Sequence, residues 1–206
     1  GRELLYSSDL DLVLVCDLPE GDAREQYDRA YQRLAELFQE AMTRLLPDGD
    51  LYPIDLRLRP EGKGGDLIPS LDACRRYYAG RAQTWERQAM LKARLLAGDA
   101  RVGEAFLAII GPFAYPTDPS PALADEVRAM KQRVENERAD PATRGCDLKL
   151  GPGGLSDVEW LVQRYQLCYG HARPALRETN TLAALAALEG EGLLPPAEAA
   201  VLREGY

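Results

Sequence analysis

Residues 7–15 read SSDLDLVLV and place two carboxylates two positions apart at the start of an apolar run. Successive side chains of an extended chain alternate between its two faces, so Asp9 and Asp11 are predicted to share one face of a strand over residues 9–15. Neighbouring like charges repel each other, and a hard cation such as Mg²⁺ between them relieves the repulsion. The run therefore favours a metal-binding pair of acids. The alternative is a solvated strand end with two surface acids.

Residues 52–60 read YPIDLRLRP and alternate in the same way. The apolar residues fall on one face of a predicted strand, while Asp55, Arg57 and Arg59 fall on the other, before Pro60 ends the run. This polar face offers a further metal ligand beside guanidinium groups that bind phosphate. The alternative is an exposed ladder of Asp–Arg pairs. Together the two segments supply three carboxylates with arginine, a set that suits metal-dependent phosphoryl or nucleotidyl transfer.

The composition is that of a globular protein and excludes several classes of function. The chain of 206 residues is long enough for one large domain or two small ones. Of its residues, 46% are hydrophobic and 28% are charged, as in ordinary globular proteins. The net charge of −8 predicts no binding to nucleic acid or to an anionic membrane, because both require a basic surface. No apolar run is long enough to span a bilayer, and no signal peptide is visible. We therefore expect a cytoplasmic protein.

The cysteine and histidine content argues against zinc binding and against hydrolase chemistry. His171 is the single histidine. The four cysteines are far apart in the sequence: Cys16, Cys74, Cys146 and Cys168. Such spacing predicts free thiols in a reducing compartment and no zinc cluster. His171 follows a glycine at the end of a helical pattern, so we predict a surface residue and no Ser-His-Asp or Cys-His hydrolase.

Helical patterns surround the two predicted strands. After Gly21, apolar residues recur every three or four positions from Tyr27 to Leu45 and predict a helix whose apolar stripe faces the core. The segment PTDPSP at 116–121 is rich in turn formers and predicts a domain boundary, and the pattern beyond it is helical throughout. The predicted fold is α+β: a small mixed sheet flanked by helices carries the acids, and a helical bundle follows from about residue 120.

A glycine-rich loop precedes one of the later helices. Residues 151–154 read GPGG, and backbone N–H groups at a helix start attract anions, although a tight turn into the helix explains the glycines equally well. Asp157 and Glu159 follow, about 200° apart on a helix, so only one can face a ligand, and we favour Glu159. Lys149 could neutralise phosphate, with a surface lysine as the alternative.

Four blocks of the sequence resemble one known family. They read GRELLYSSDLDL at 1–12, DLRLRPEGKGG at 55–65, TWERQA at 84–89 and KLGPGGLSDVEW at 149–160. In this order, and over nearly the whole chain, they resemble the glutamine synthetase adenylyltransferase family, whose members both transfer and remove adenylyl groups. That family belongs to the nucleotidyltransferase superfamily of DNA polymerase β type. The resemblance implies a polymerase β-like nucleotidyltransferase catalytic domain over residues 1–115 and a helical bundle domain over residues 120–206.

The resemblance also implies roles for particular residues. Asp9, Asp11 and Asp55 would be the catalytic residues that bind Mg²⁺, and Ser7 and Ser8 would close a glycine–serine loop over the nucleotide phosphates. The further candidates for contacts to nucleotide and phosphate are Arg57, Arg59, Lys149 and Glu159. The family's preceding glycine and leading helix do not occur in these residues. We therefore expect an N-terminally incomplete catalytic domain in a piece of a longer polypeptide.

The implied function is Mg²⁺-dependent adenylyl transfer from ATP to a tyrosine of glutamine synthetase. Phosphorolytic removal of AMP from the adenylylated enzyme is one alternative, because the block at 153–159 resembles transferring domains while the block at 85–90 resembles removing domains. The other alternative is a non-catalytic nucleotide-sensing or docking module, against which the three retained acids count. The expected partners are glutamine synthetase and, through the full-length enzyme, a PII-type regulatory protein, with no nucleic acid and no membrane.

Overall fold

The computed structural model describes residues 3–4, 8–44, 52–119, 121–138 and 147–206 of the chain. Ser7, Cys146 and the turn predicted at 47–50 lie outside these residues. The chain divides into two compact units, each described by itself below. The sheet unit comprises Glu3–Ala82 and Leu95–Gly111, and the helical unit comprises Gln83–Arg94 and Pro112–Tyr206.

The sheet unit contains two short parallel strands and the helices around them. Its elements, in chain order, are β1 (Leu10–Asp11), α1 (Arg24–Thr43), β2 (Ile54–Asp55), a 3-10 helix (Gly62–Gly64), α2 (Leu71–Tyr78) and the first part of α4 (Ala100–Ala114). An isolated parallel bridge joins Cys16 to Ser70 and extends the sheet pairing beyond β1. Cys16, Ala35 and Ile68 form one buried core cluster, with Leu14 and Tyr31 packed against them.

The observed strands are shorter than the sequence predicts. Among the described residues, pairing between β1 and β2 is limited to Leu10–Asp11 and Ile54–Asp55, and these strands are parallel and do not form a mixed sheet. The apolar run after Asp11 stays half-buried without a second regular partner strand. The predicted strand over 52–59 is wrong beyond Asp55, because the chain turns at residues 57–58. The α+β class is confirmed in its coarse form.

The core-facing side of α1 also differs from the prediction. Tyr27 and Leu34 are 49% and 58% exposed, whereas Ala35 is almost fully buried. Gln32 fixes this rotation of the helix, since its Nε2 donates to the Ile68 carbonyl at 3.0 Å and its Oε1 accepts from the Ile68 N–H at 3.3 Å. A polar anchor and a small residue, rather than the largest apolar stripe, therefore set the face that α1 buries.

In the part of the chain that the structure describes, the helical unit contains five helices and the last residues of α4. The helices are α3 (Thr84–Leu91), α5 (Pro121–Arg138), α6 (Leu155–Tyr169), α7 (Thr181–Gly190) and α8 (Pro196–Gly205), with a 3-10 helix at Pro174–Leu176. One core cluster is formed by residues from α6 to α8: Val158, Val162, Leu176, Ala184, Leu185, Leu188, Leu194 and Ala199. Asn180 caps α7, because its side chain accepts the Ala183 N–H at 2.9 Å.

The helix α3 packs against α5 and α6, although the sequence places it before the predicted boundary. Residues 83–94 therefore group with the helical unit, while the domain limits 1–115 and 120–206 stay a prediction. Within the described ranges, no helix combines the length and the apolar character needed to cross a bilayer.

Candidate functional site

The two strands bring acids that are distant in sequence to one edge of the sheet. In the parallel pairing, Leu10 lies opposite Ile54 and Asp11 lies opposite Asp55. The Leu10 N–H donates to the Pro53 carbonyl at 2.7 Å, and the Leu12 N–H donates to the Asp55 carbonyl at 2.9 Å. Paired residues of neighbouring strands, about 4.8 Å apart, point to the same face, and Asp9 precedes Asp11 by the two-residue repeat. The backbone thus places the three predicted acids on neighbouring positions.

The electrostatics of Asp11 reflect this crowding. Although Asp11 is an exposed residue overall, burial of its carboxyl group is the main cause that raises its pKa. The negative charges of Asp55 and Asp9 raise the pKa further, while the positive charge of Arg57 opposes them. Asp11 therefore interacts with both other acids, as a carboxylate within a shared site would.

Asp55 is engaged by Arg57, two residues further along the chain. The Arg57 backbone N–H donates to Asp55 Oδ1 at 2.8 Å. The Arg57 Nε donates to Oδ1 at 2.9 Å and to Oδ2 at 2.7 Å, and a terminal guanidinium nitrogen also donates to Oδ2. These hydrogen bonds are the main reason why the pKa of Asp55 is lowered. Both oxygens of this carboxylate therefore have a cationic partner.

Arg59 is buried and binds backbone carbonyl groups of the turn after β2. Its residue is 7% exposed. Its guanidinium donates to the Leu56 carbonyl at 2.7 Å and to the Gly65 carbonyl at 3.4 Å. The prediction that Asp55, Arg57 and Arg59 share one strand face is wrong, because the strand ends at Asp55. Arg59 stabilises the turn that follows, and a phosphate contact by Arg59 stays a prediction.

The glycine-containing segment after this turn is compact. Glu61 and Gly62 both have positive φ, at 62° and 55°. The Gly62 N–H donates to the Arg59 carbonyl at 2.9 Å, and the Gly64 N–H donates to the Glu61 carbonyl at 3.1 Å. A Cβ on Gly65 would lie 2.2 Å from the Pro60 carbonyl oxygen. Only glycine fits there, and the tight turn holds Lys63 at a fixed place in the chain.

A cavity of about 500 Å³ opens at this edge of the sheet unit. Its polar lining consists of Asp9, Gln39, Asp55, Arg57, Arg59 and Lys63, and its apolar lining of Pro53, Ile54, Leu56 and Leu67. This volume is within the range of small-molecule sites, roughly 300–1,000 Å³. Lys63 was not predicted from the sequence. Its position between glycines, in the stretch EGKGG at 61–65 that follows the second predicted strand, was the signal that could have found it.

The acids match a hard divalent cation in donor type and backbone position, but they are not arranged around one. Within the described ranges, no three Asp, Glu, His or Cys side chains form a group that could hold a metal ion. The Asp55 carboxylate instead binds Arg57, as described above. Carboxylate oxygens are the ligands that Mg²⁺ takes in proteins, so Asp9, Asp11 and Asp55 would hold it once Asp55 exchanged its partner.

The remaining predicted site residues lie close to Asp9 or in the helical unit. Ser8 is half-buried next to Asp9, while Ser7 is outside the described residues. Lys149 is exposed, and its backbone N–H donates to Asp147 Oδ1 at 2.9 Å. Glu159 Oε1 accepts the Tyr206 hydroxyl at 2.9 Å. The nucleotide contacts proposed for these four residues stay predictions.

The glycine loop before α6 satisfies its own backbone groups. The Gly153 N–H donates to Asp157 Oδ2 at 2.8 Å, and the Gly154 N–H donates to the Gly151 carbonyl at 2.9 Å. Asp157 Oδ1 lies 2.6 Å from Lys131 Nζ, although its geometry leaves it without a regular hydrogen bond. The glycines thus serve a tight turn into the helix, which was the alternative to a phosphate cradle.

Comparisons with known proteins agree with the family resemblance of the sequence blocks. Residues 1–109 match the family model of glutamate-ammonia ligase adenylyltransferase. Residues 122–206 match the model of the GlnD PII-uridylyltransferase.

Curated relatives match over the full chain. A bifunctional glutamine synthetase adenylyltransferase/adenylyl-removing enzyme from Mycobacterium leprae is 42% identical over 100% of the chain and 21% of its own length. The enzymes of the same name from Mycobacterium avium and Pseudomonas putida are 41% and 37% identical over 100% and 99% of the chain. The chain spans about a fifth of the length of these relatives (21% of each). By the match over residues 1–109, the chain belongs to the glutamate-ammonia ligase adenylyltransferase family.

Proposed function

We propose that the chain carries a catalytic centre that transfers the adenylyl group of ATP to a tyrosine of glutamine synthetase, with Mg²⁺ as cofactor. One observation carries this proposal: Asp11 and Asp55 are paired in register on parallel strands, with Asp9 at the preceding position of the same face. Asp9 and Asp55 also line the cavity that contains Arg57 and Lys63. Acids for a metal and cations for phosphate thus occur in one cavity.

The residues have separate tasks in the proposed reaction. The tyrosine oxygen forms a bond to the α-phosphorus of ATP, the bond to pyrophosphate breaks, and the hydroxyl proton is lost. Mg²⁺, when bound, would neutralise phosphate charge and lower the pKa of the attacking hydroxyl. Asp9, Asp11 and Asp55 would hold the metal. Arg57 and Lys63 would bind phosphate oxygens.

The reverse direction is the second candidate function. The names of the relatives join adenylyl transfer and adenylyl removal in one enzyme, so a domain of this family could perform either. Within the block at 153–159, the contacts of Asp157 to Gly153 and Lys131 give this acid a structural task, so Asp157 does not distinguish transfer from removal. The general similarity of the block at 153–159 to transferring domains remains the reason for proposing transfer.

The proposal extends to partners. Glutamine synthetase is the proposed protein substrate, because the relatives are named for it. A PII-type protein is the proposed regulator, supported by the match of residues 122–206 to a PII-uridylyltransferase model.

The test uses the full-length protein in two reactions. The first supplies unmodified glutamine synthetase with ATP and Mg²⁺ and measures AMP incorporation. The second supplies adenylylated glutamine synthetase with phosphate and measures ADP release. We expect Asp9→Asn to abolish the first reaction and to spare the second, while the control Asp99→Asn, an exposed acid paired with Arg101, changes neither.

Two other outcomes for the Asp9→Asn variant would contradict AMP transfer by this centre. Loss of ADP release alone in Asp9→Asn would assign removal to this centre. Full retention of both reactions would identify a non-catalytic module and would contradict the proposal.

A further inference from the structure

The contact between Asp55 and Arg57 has a consequence for ligand binding at this centre. We propose that Arg57 and a divalent cation compete for the Asp55 carboxylate, and that the cation, by displacing Arg57, releases its guanidinium to the phosphates of the nucleotide. Metal and nucleotide would then bind cooperatively through one side chain. This inference rests on the proposed function, since it assumes that the acids bind a metal and that the cavity binds a nucleotide.

Competition follows from the number of oxygens on Asp55. Arg57 uses both of them, with Nε at 2.9 Å from Oδ1 and at 2.7 Å from Oδ2. A directly bound cation needs at least one of these oxygens, and two positive groups at one carboxylate repel each other. The Asp55 carboxylate therefore cannot keep its present contacts to Arg57 and also complete a metal site with Asp9 and Asp11.

The exposure of the pair makes the exchange feasible. The Arg57 side chain is 66% exposed and that of Asp55 is 17% exposed. Ion pairs with such exposure contribute little to stability, because water solvates the separated arginine well. Displacement of Arg57 therefore requires no rearrangement of a buried network.

The turn after β2 keeps a released guanidinium at the cavity. The Arg57 backbone N–H donates to Asp55 Oδ1 at 2.8 Å, and both residues line the cavity together with Lys63. A planar guanidinium binds two phosphate oxygens at once, which a lysine ammonium cannot do. Arg57 can thus exchange a carboxylate for a phosphate without leaving the site.

Arg57 is the cation of this cavity that is suited to the exchange. Arg59 is buried and donates to the backbone carbonyls of Leu56 and Gly65, which a metal would not displace. Lys63 is exposed and acts on Asp55 through its charge, without a hydrogen bond to it among the described contacts.

A second Asp-x-Arg pair of the sheet unit supplies a matched control. The Arg101 N–H donates to Asp99 Oδ1 at 2.8 Å, and Arg101 forms an ion pair with Asp99 Oδ2 at 3.1 Å. The local geometry repeats that of Asp55 and Arg57, but the second pair lies at the start of α4 and lines no part of the cavity described above.

The experiment measures metal binding and nucleotide binding separately in the full-length protein. Mn²⁺ is titrated without nucleotide and followed by the paramagnetic resonance of the free ion. Subtraction of the titration of Asp9→Asn isolates the sites that depend on this centre. An ATP analogue with a methylene group between the α and β phosphates is then titrated at saturating Mn²⁺.

We expect Arg57→Ala to change the two affinities in opposite directions. Mn²⁺ should bind roughly five- to tenfold more tightly, because a competing positive charge is lost. The ATP analogue should bind about tenfold or more weakly, because a bidentate phosphate contact is lost. Arg101→Ala should leave both affinities unchanged.

Unchanged or weaker Mn²⁺ binding in Arg57→Ala would overturn the competition. Tighter Mn²⁺ binding with unchanged binding of the analogue would overturn the transfer of Arg57 to phosphate. If the wild-type protein shows no Mn²⁺ binding that depends on Asp9, the proposed function fails, and the inference fails with it. A failure of the inference alone is recognised by normal Asp9-dependent Mn²⁺ binding in the wild type.

Discussion

Asp55–Arg57 and Asp99–Arg101 are two Asp-x-Arg pairs with nearly the same local structure and different surroundings. In both, the arginine N–H and guanidinium bind the carboxylate two residues before, and this lowers the pKa of the acid. Asp55 lies in register with Asp11, whereas Asp99 precedes the first turn of α4. Because both pairs form this ion pair in different surroundings, the ion pair is a local feature of the Asp-x-Arg sequence. What makes one pair a candidate centre is the strand pairing that brings further acids to it.

The largest expected effect is a difference in the AMP transfer rate between substitutions of the two acids. Asp55→Asn should reduce the AMP transfer rate at least about a hundredfold, since even outer-shell partners of metal ligands contribute 10–100-fold. Asp99→Asn should leave the rate unchanged, because asparagine also caps helices well. The measurement is the steady-state rate with glutamine synthetase, ATP and Mg²⁺. Equal rates for both variants would remove the distinction between the two pairs.

A substitution at Asp157, an acid of the helical unit that belongs to neither pair, tests whether this residue has only a structural task. Asp157→Ala removes the acceptor of the Gly153 N–H and the partner of Lys131. We expect a loss of about 1 kcal/mol in the free energy of unfolding, because a hydrogen bond to a charged acceptor and a partly exposed ion pair are lost. Urea unfolding of the metal-free protein measures this loss. A hundredfold loss of AMP transfer without a loss of stability would instead give Asp157 a place in the catalytic centre.

The pH dependence of stability tests the crowding at Asp11. Its pKa in the folded protein is raised above the ordinary value of 3.8. The unfavourable contribution of Asp11 to stability is therefore absent below 3.8, grows as the pH rises from 3.8 to the raised pKa, and is fully present above it. Asp11→Asn should match the wild type at low pH and become the more stable protein toward neutral pH, without metal.

Thermal unfolding of the metal-free proteins across this pH range provides the measurement. A variant that is less stable than the wild type at neutral pH would show that Asp11 stabilises the fold and is not a crowded ligand.

The smallest expected effect concerns the arginines of the two pairs. Arg57→Ala and Arg101→Ala should both leave the thermal midpoint of the metal-free protein within experimental error of the wild type, because both side chains are well exposed. A clear loss for Arg57→Ala alone would mean that Arg57 stabilises the turn and is not free to exchange partners.

The sequence predicted the positions of the two acid-bearing strands better than the turn that follows the second one. The alternation around Asp9 and Asp11 indicated the strand positions, since the period of an extended chain is a local property. The turn at Arg57 was missed, because the alternation of YPIDLRLRP continues past the point where strand pairing ends. The burial of Arg59 depends on the carbonyls of Leu56 and Gly65, which only the folded turn brings together.

The helices show the same division between local and long-range information. The helical character beyond residue 120 follows from local periodicity and was predicted. The rotation of α1 was not, because it depends on hydrogen bonds between Gln32 and Ile68, 36 positions apart. The grouping of α3 with α5 and α6 likewise depends on contacts between distant segments.

The position of a bound metal is the direct test of whether Asp9, Asp11 and Asp55 form one metal site. Crystals of the full-length protein with Mn²⁺ and the methylene analogue of ATP, measured by anomalous scattering, would locate the ion. We predict a peak with carboxylate oxygens of Asp9, Asp11 and Asp55 about 2.1 Å away, Arg57 on a phosphate, and no peak at Asp99. If the nucleotide site is occupied, the Mn²⁺ lies away from these three acids and Arg57 still binds Asp55, both the metal site and the exchange of Arg57 are contradicted.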